Sequence, residues 1–81
     1  MSDNVQKRVA VITGASKGIG LATSKEFLKK GFTVYGLSRS GATAEGVNPV
    51  KVDVTDYAAL EKAYADIYKA EGRIDVLVNN A

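Results

Sequence analysis

The chain has 81 residues, 46% of them hydrophobic and 25% charged, the balance of one globular unit near the smallest size at which a single core suffices, with no room for a second domain. Eleven Lys and Arg against nine Asp and Glu leave a net charge of +2, too small and too dispersed to indicate nucleic acid or an acidic membrane surface as a partner. With no cysteine and no histidine there is neither a disulfide framework nor the usual ligand set for zinc or a transition metal, so no metal site is expected.

Residues 1–7 read as a polar N-terminal tail that lacks the apolar stretch of a signal peptide. No run approaches the roughly 20 apolar residues of a membrane span, and the default compartment is the cytoplasm. Arg8 to Thr13 (RVAVIT) is β-branched and apolar without alternation, the pattern of a parallel strand covered on both faces. The run TGASKGIG follows, and a helix is predicted from about Gly18 to Lys30. Lys29 and Lys30 suit the negative end of its dipole, and Gly31 stops it. Ile19, Ala22, Thr23 and Phe27 make its expected inward face.

Phe32 to Ser38 (FTVYGLS) reads as a second strand and Val50 to Val54 (VKVDV) as a third, joined by the loop-like SGATAEGVNP. From Asp56 to Glu71 the helical pattern is strong. Tyr57, Leu60, Ala63, Tyr64 and Ile67 fall on one face and Glu61, Lys62, Asp66 and Lys69 on the other. Thr55 or Asp56 caps its start and Gly72 its end. Ile74 to Asn79 (IDVLVN) is the fourth strand.

Strands alternating with helices define an α/β chain with a parallel sheet and right-handed crossovers, a Rossmann-type half-domain over residues 8–81. The expected strand order is 3-2-1-4, with one helix on each face and the switch point between strands one and four. An open α/β sheet binds its ligand there, beyond the carboxyl ends of the strands. TGASKGIG stands at that end of strand one.

A strand that turns directly into a helix leaves unpaired N–H groups and the positive end of the helix dipole facing the crevice, which makes an anion site. Gly14 is expected to make the turn, Gly18 to let a pyrophosphate approach the backbone, and Gly20 to let the helix pack close. The spacing G-x-x-x-G-x-G is neither the G-x-G-x-x-G fingerprint nor a P-loop.

T-G-x-x-x-G-x-G after strand one, D-V after strand three and N-N-A after strand four together resemble the short-chain dehydrogenase/reductase family over nearly the whole chain. The resemblance implies that Thr13 orders the loop and that Ser16, Lys17 and Ile19 contact the phosphates and the nicotinamide half of a cofactor. It implies that Asp53 accepts from the adenine amino group beside a wall formed by Val54. Asn79 would lie beside the cofactor ribose, and the backbone near Ala81 would line the same groove. From the residues alone, Asp53 also reads as a strand-end carboxylate or a cap for the next turn, and Asn79 and Asn80 as strand-ending turn residues.

NAD-binding sheets usually place an acid at the end of strand two to grip the ribose hydroxyls. Ser38 stands in that position here, followed by Arg39. Arg39 offers a planar, permanently charged fork for a phosphate, and Lys17 adds a second positive charge. The resemblance gives bases at these two places the same meaning, so NADP(H) is expected over NAD(H), against two merely solvated bases. The family's proton donor is a tyrosine four residues before a lysine, assisted by a serine. Tyr35 is followed at that spacing by Arg39, Tyr57 by Glu61, Tyr64 by Tyr68 and Tyr68 by Gly72. No catalytic residue is assigned, and these 81 residues are expected to be inactive alone. The helical tyrosines read as core and boundary residues.

Four strands about 4.8 Å apart make a sheet about 19 Å wide, and one helix about 10 Å across covers about half of a face. The loop between strands two and three is expected to add little cover. The missing cover would come from a catalytic half of the protein or from self-association. Two other readings stand beside the reductase half: a non-catalytic dinucleotide-binding or assembly module, and a flavodoxin-like or response-regulator half-domain. The last is disfavoured because no acidic cluster follows strand one.

Overall fold

The computed structural model describes residues 7–80; most of the polar tail, and Ala81, lie outside them. Its elements in order are β1 (Val9–Thr13), α1 (Gly18–Lys29), β2 (Thr33–Ser38), β3 (Asn48–Lys51), α2 (Tyr57–Glu71) and β4 (Val76–Val78). All pairings are parallel and the sheet order is β3-β2-β1-β4, as the alternation of elements requires.

Two cores form, one on each face. Val9, Val11, Leu37 and Val52 pack with Ala63 and Ile67 of α2. On the other face Ala10, Ile12 and Val34 pack with Leu21, Phe27 and Leu28 of α1. Every residue of β1 is buried, which explains why that strand is apolar at each position rather than at alternate ones.

Several sequence expectations change, among them the fourth strand, which runs over Val76–Val78 rather than Ile74 to Asn79. The inward face of α1 is centred on Gly20 and Ser24, both buried, while Ile19 is 77% exposed and Ala22 also faces solvent. The contact of Gly20 with the glycine turn sets the rotation of the helix, and the Ser24 hydroxyl is satisfied by donating to Gly20 O at 2.8 Å. On α2 the packed stripe begins at Ala59 and Leu60. Tyr57, in the first turn, stands 80% exposed and Tyr68 58%, so of the helical tyrosines only Tyr64 is half-buried.

The third strand starts and stops earlier than Val50–Val54. Val52 N–H donates to Ser38 O at 2.9 Å, and the alternation that aims it at β2 aims the nitrogen of Pro49 outward. On that side of an edge strand proline loses no ladder bond. Asn48 Nδ2 adds a bond to Val34 O at 3.1 Å. Finally, the connection between β2 and β3 covers more than its composition suggests. Ala44 and Val47 are buried in the α1-side core, and Thr43, Ala15 and Val47 close over Gly36 so tightly that a Cβ there would lie 2.7 to 2.9 Å from them.

Candidate dinucleotide site

The end of β1 turns into α1 through Gly14 and Gly18, whose φ angles of 63° and 61° lie in the left-handed region that glycine tolerates. A Cβ at Gly20 would stand 1.9 Å from Gly14 O, so the third glycine is what lets the helix close onto its own entry turn. A Cβ at Gly18 would meet nothing within 4 Å. That backbone is open to an incoming group. The N-cap residue Lys17 is extended, makes no side-chain cap bond, and no acid occupies the first turn. The helix therefore presents its opening N–H groups and positive dipole end without a competing side chain.

Beside this turn lies a cavity of about 750 Å³ at the carboxyl ends of β1, β2 and β3, lined by residues that include Gly14, Ser16, Lys17, Ser38, Arg39 and Asp53. That volume suits a small-molecule site. Val54 is also on its wall. Seven of the residues singled out in the sequence thus meet around one space. Gly18, Ile19 and Gly20 belong to the turn and first helical turn rather than to the wall. Asn79 lies at the end of β4, where Thr13 reaches it. The Thr13 hydroxyl donates toward Asn79 Oδ1 (3.1 Å) and Val78 O (3.3 Å) and accepts from Asn80 N–H at 2.9 Å. Thr13 thus ties the glycine turn to the end of β4.

Ser38 is buried, and its hydroxyl is committed to the loop beyond it, accepting from Gly41 N–H at 3.1 Å and donating to Ala42 O at 3.3 Å. Ser40 Oγ accepts from Ala42 N–H at 3.1 Å. These bonds shape the rim that carries Arg39. Ser40, Ala42, Val52 and Thr55 line the cavity as well and were not singled out as site residues; Thr55 was read as one of two caps for α2, a role Asp56 takes by accepting from Ala59 N–H at 3.2 Å. The signal for them was turn chemistry, S-R-S-G and D-x-T, which marks a shaped loop without saying what it faces.

Lys17 and Arg39 are exposed bases on the wall and Asp53 is its acid. Thr55 donates twice to Asp53 Oδ1, from its hydroxyl at 2.6 Å and its N–H at 2.9 Å. These bonds, the hydroxyl first, hold the Asp53 carboxyl below its ordinary range, with a smaller contribution from the charge of Arg39. A dinucleotide fits what the residues offer: an open glycine backbone and an uncapped helix start for a pyrophosphate, bases for a further phosphate, and an ionised acceptor for an exocyclic amine.

A parallel sheet whose first strand turns through glycines into a helix, with a cavity at the strand ends, defines a Rossmann-type nucleotide fold. The family model described as short chain dehydrogenase matches residues 8–81, and the chain belongs to the short-chain dehydrogenase/reductase family. It is 40% identical over 78 residues to a 3-ketodihydrosphingosine reductase of Bacteroides thetaiotaomicron, covering 95% of this chain and 29% of that protein. It is also 40% identical over 84 residues to an NADPH-dependent 3-dehydrocapnine reductase of Ornithobacterium rhinotracheale, covering 91% and 30%. The ligand-free structure of Thermoplasma acidophilum aldohexose dehydrogenase is similar with a TM-score of 0.88 and 36% identity, over 94% of this chain and 30% of that one. The chain thus spans less than a third of the length of these relatives.

Proposed function

We propose that residues 8–81 form the cofactor-binding portion of an NADP(H)-dependent oxidoreductase that reduces a carbonyl or oxidises the corresponding alcohol in the cytoplasm. The observation that carries the reading is the meeting of Lys17 and Arg39 with the glycine turn around one cavity. The name of the O. rhinotracheale relative supports the same choice of dinucleotide. When bound, the nicotinamide supplies or accepts the hydride. This chain's part is to hold the pyrophosphate at Gly14–Gly20 with Ser16 and Ile19 alongside, and the 2′-phosphate between Lys17 and Arg39 on the rim shaped by Ser38. Asp53 and Val54 take the adenine and Asn79 lies beside the cofactor ribose, while the contact expected of Ala81 falls outside the described residues.

None of the four tyrosines has a lysine four residues on, so the proton-transfer pair lies outside these residues and the 81-residue chain alone turns over no carbonyl substrate. The same observation favours a second reading, a non-catalytic dinucleotide-binding or assembly module. An intact-mass measurement of the native protein separates the two, because the oxidoreductase reading needs further chain carrying Y-x-x-x-K. The β4 edge, with Leu77 52% exposed, is where that further chain or a second copy is expected to seat. The β3 edge carries Pro49 and Lys51, which discourage pairing.

Titration of the chain with NADPH and NADH tests the cofactor reading. NADPH is expected to bind more tightly, and Arg39→Asp to weaken NADPH roughly tenfold while leaving NADH little changed. Tighter NADH binding, or an Arg39→Asp variant that holds NADPH as before, would sink it.

A further inference from the structure

Thr55 belongs neither to the glycine turn nor to the pair of bases, yet its side chain is committed to the one carboxylate on the cavity wall. Its hydroxyl and its N–H converge on the same oxygen, Asp53 Oδ1, at 2.6 and 2.9 Å, while Asp56 N–H closes the turn beneath them on Asp53 O at 2.9 Å. Two donors on one oxygen fix the torsions of a side chain that solvent would otherwise leave free to rotate. Among the described residues no hydrogen bond reaches Asp53 Oδ2, so the lone pairs of that oxygen remain for an incoming donor.

Building on the reading of Asp53 as the acceptor of the adenine amino group, we propose that Thr55 is a positioning residue for base recognition: it turns Oδ1 of Asp53 back into the chain and presents Oδ2 to the exocyclic amine. Immobilising one side chain in advance of binding is worth about threefold to tenfold in affinity. The gain applies only to a base that donates at that position. A base carrying a carbonyl there sets acceptor against carboxylate and draws nothing from the alignment. The bonds from Thr55 also hold the carboxyl below its ordinary range, which extends its ionised, acceptor-only state to lower pH.

The test compares binding of NADPH and of its hypoxanthine analogue, which replaces the amino group with a carbonyl, followed by nicotinamide fluorescence. The unsubstituted chain is expected to prefer NADPH by about tenfold. Thr55→Val, which keeps the N–H but loses the hydroxyl, reduces the preference to about threefold by weakening NADPH alone, and Thr55→Ser restores it. Thr55 is exposed, so both variants fold, as circular dichroism would verify. An unchanged preference in Thr55→Val, or equal weakening of both dinucleotides, overturns the role of Thr55. Asp53→Ala separates this from the reading beneath it: loss of the preference there supports Asp53 as the base reader, and a preference that survives removes the basis for both. Absence of NADPH binding by the unsubstituted chain also counts against both.

Discussion

Gly18 and Gly20 stand two residues apart at the start of α1, and a methyl group meets a different fate at each. At Gly20 it would collide with Gly14 O at 1.9 Å, so Gly20→Ala must lift the helix from its entry turn. A loss of about 3 kcal/mol is expected, a large part of the margin of so small a chain. At Gly18 the methyl meets open space but forces a left-handed φ of 61° on alanine, which costs about 1–2 kcal/mol. Gly18→Ala is therefore expected to leave a folded chain that binds NADPH poorly, and Gly20→Ala to damage the fold itself. Thermal melts paired with NADPH titrations check this. Equal melting midpoints for the two variants would show that the close approach at Gly20 is unimportant. The close approach at Gly20 was legible in the spacing, because a strand-to-helix turn needs glycine for geometric reasons that act within a few residues. The commitment of the Ser38 hydroxyl to Gly41 and Ala42 was not legible, since it depends on the path of the loop beyond.

The end of the sheet opposite the cavity is closed by a contact that no sequence motif marks. Asp75 N–H donates to Val9 O at 2.9 Å and Val9 N–H donates to Asp75 Oδ2 at 2.8 Å, so a side chain stands in for part of a ladder rung between β1 and β4. The Arg73 guanidinium grips the same carboxylate from Nε at 2.8 Å and Nη2 at 2.7 Å. Arg73 first, then the Val9 N–H, hold the Asp75 carboxyl below its ordinary value of 3.8. The native chain therefore binds fewer protons here than the unfolded one. The stabilisation is whole above the ordinary value and is lost as pH falls through the depressed native one. Asp75→Asn is expected to lower the melting midpoint at neutral pH and to flatten its decline below about pH 4. Melts between neutral pH and pH 2 read both effects, and an unaltered acid decline in the variant would show that the contact is not coupled to folding. Element types and the sheet order were legible because they follow from periodicity and chain connectivity. The early start of β3 at Asn48 and the burial of Ala44 and Val47 were not, since a proline-bearing edge and a loop that replaces a helix are decided by what lies across the sheet.

Across the whole molecule the two ends of the sheet have separate tasks. Asp75 and Arg73 join β1 to β4 at one end, while Thr13 ties the glycine turn to Asn79 and Asn80 at the other, beside the cavity. A smaller groove of about 190 Å³ lies between β2, β3 and α2, lined by Tyr35, Val50, Ala63 and Ile67 among others. It offers little for a phosphate: its phenol, Tyr35, donates to Glu71 Oε2 at 2.6 Å, a bond that with burial pushes its pKa up to about 12. The cofactor is proposed to bind in the large cavity alone, and mapping of backbone amide shifts on addition of NADPH tests that placement most directly. The predicted result is movement concentrated at Gly14–Gly20, Ser38–Ala42 and Val52–Thr55, with Val9, Tyr35, Ala63 and Asp75 still. Movement centred on Tyr35 and Ala63, or none at the glycine turn while NADPH binds, would contradict it.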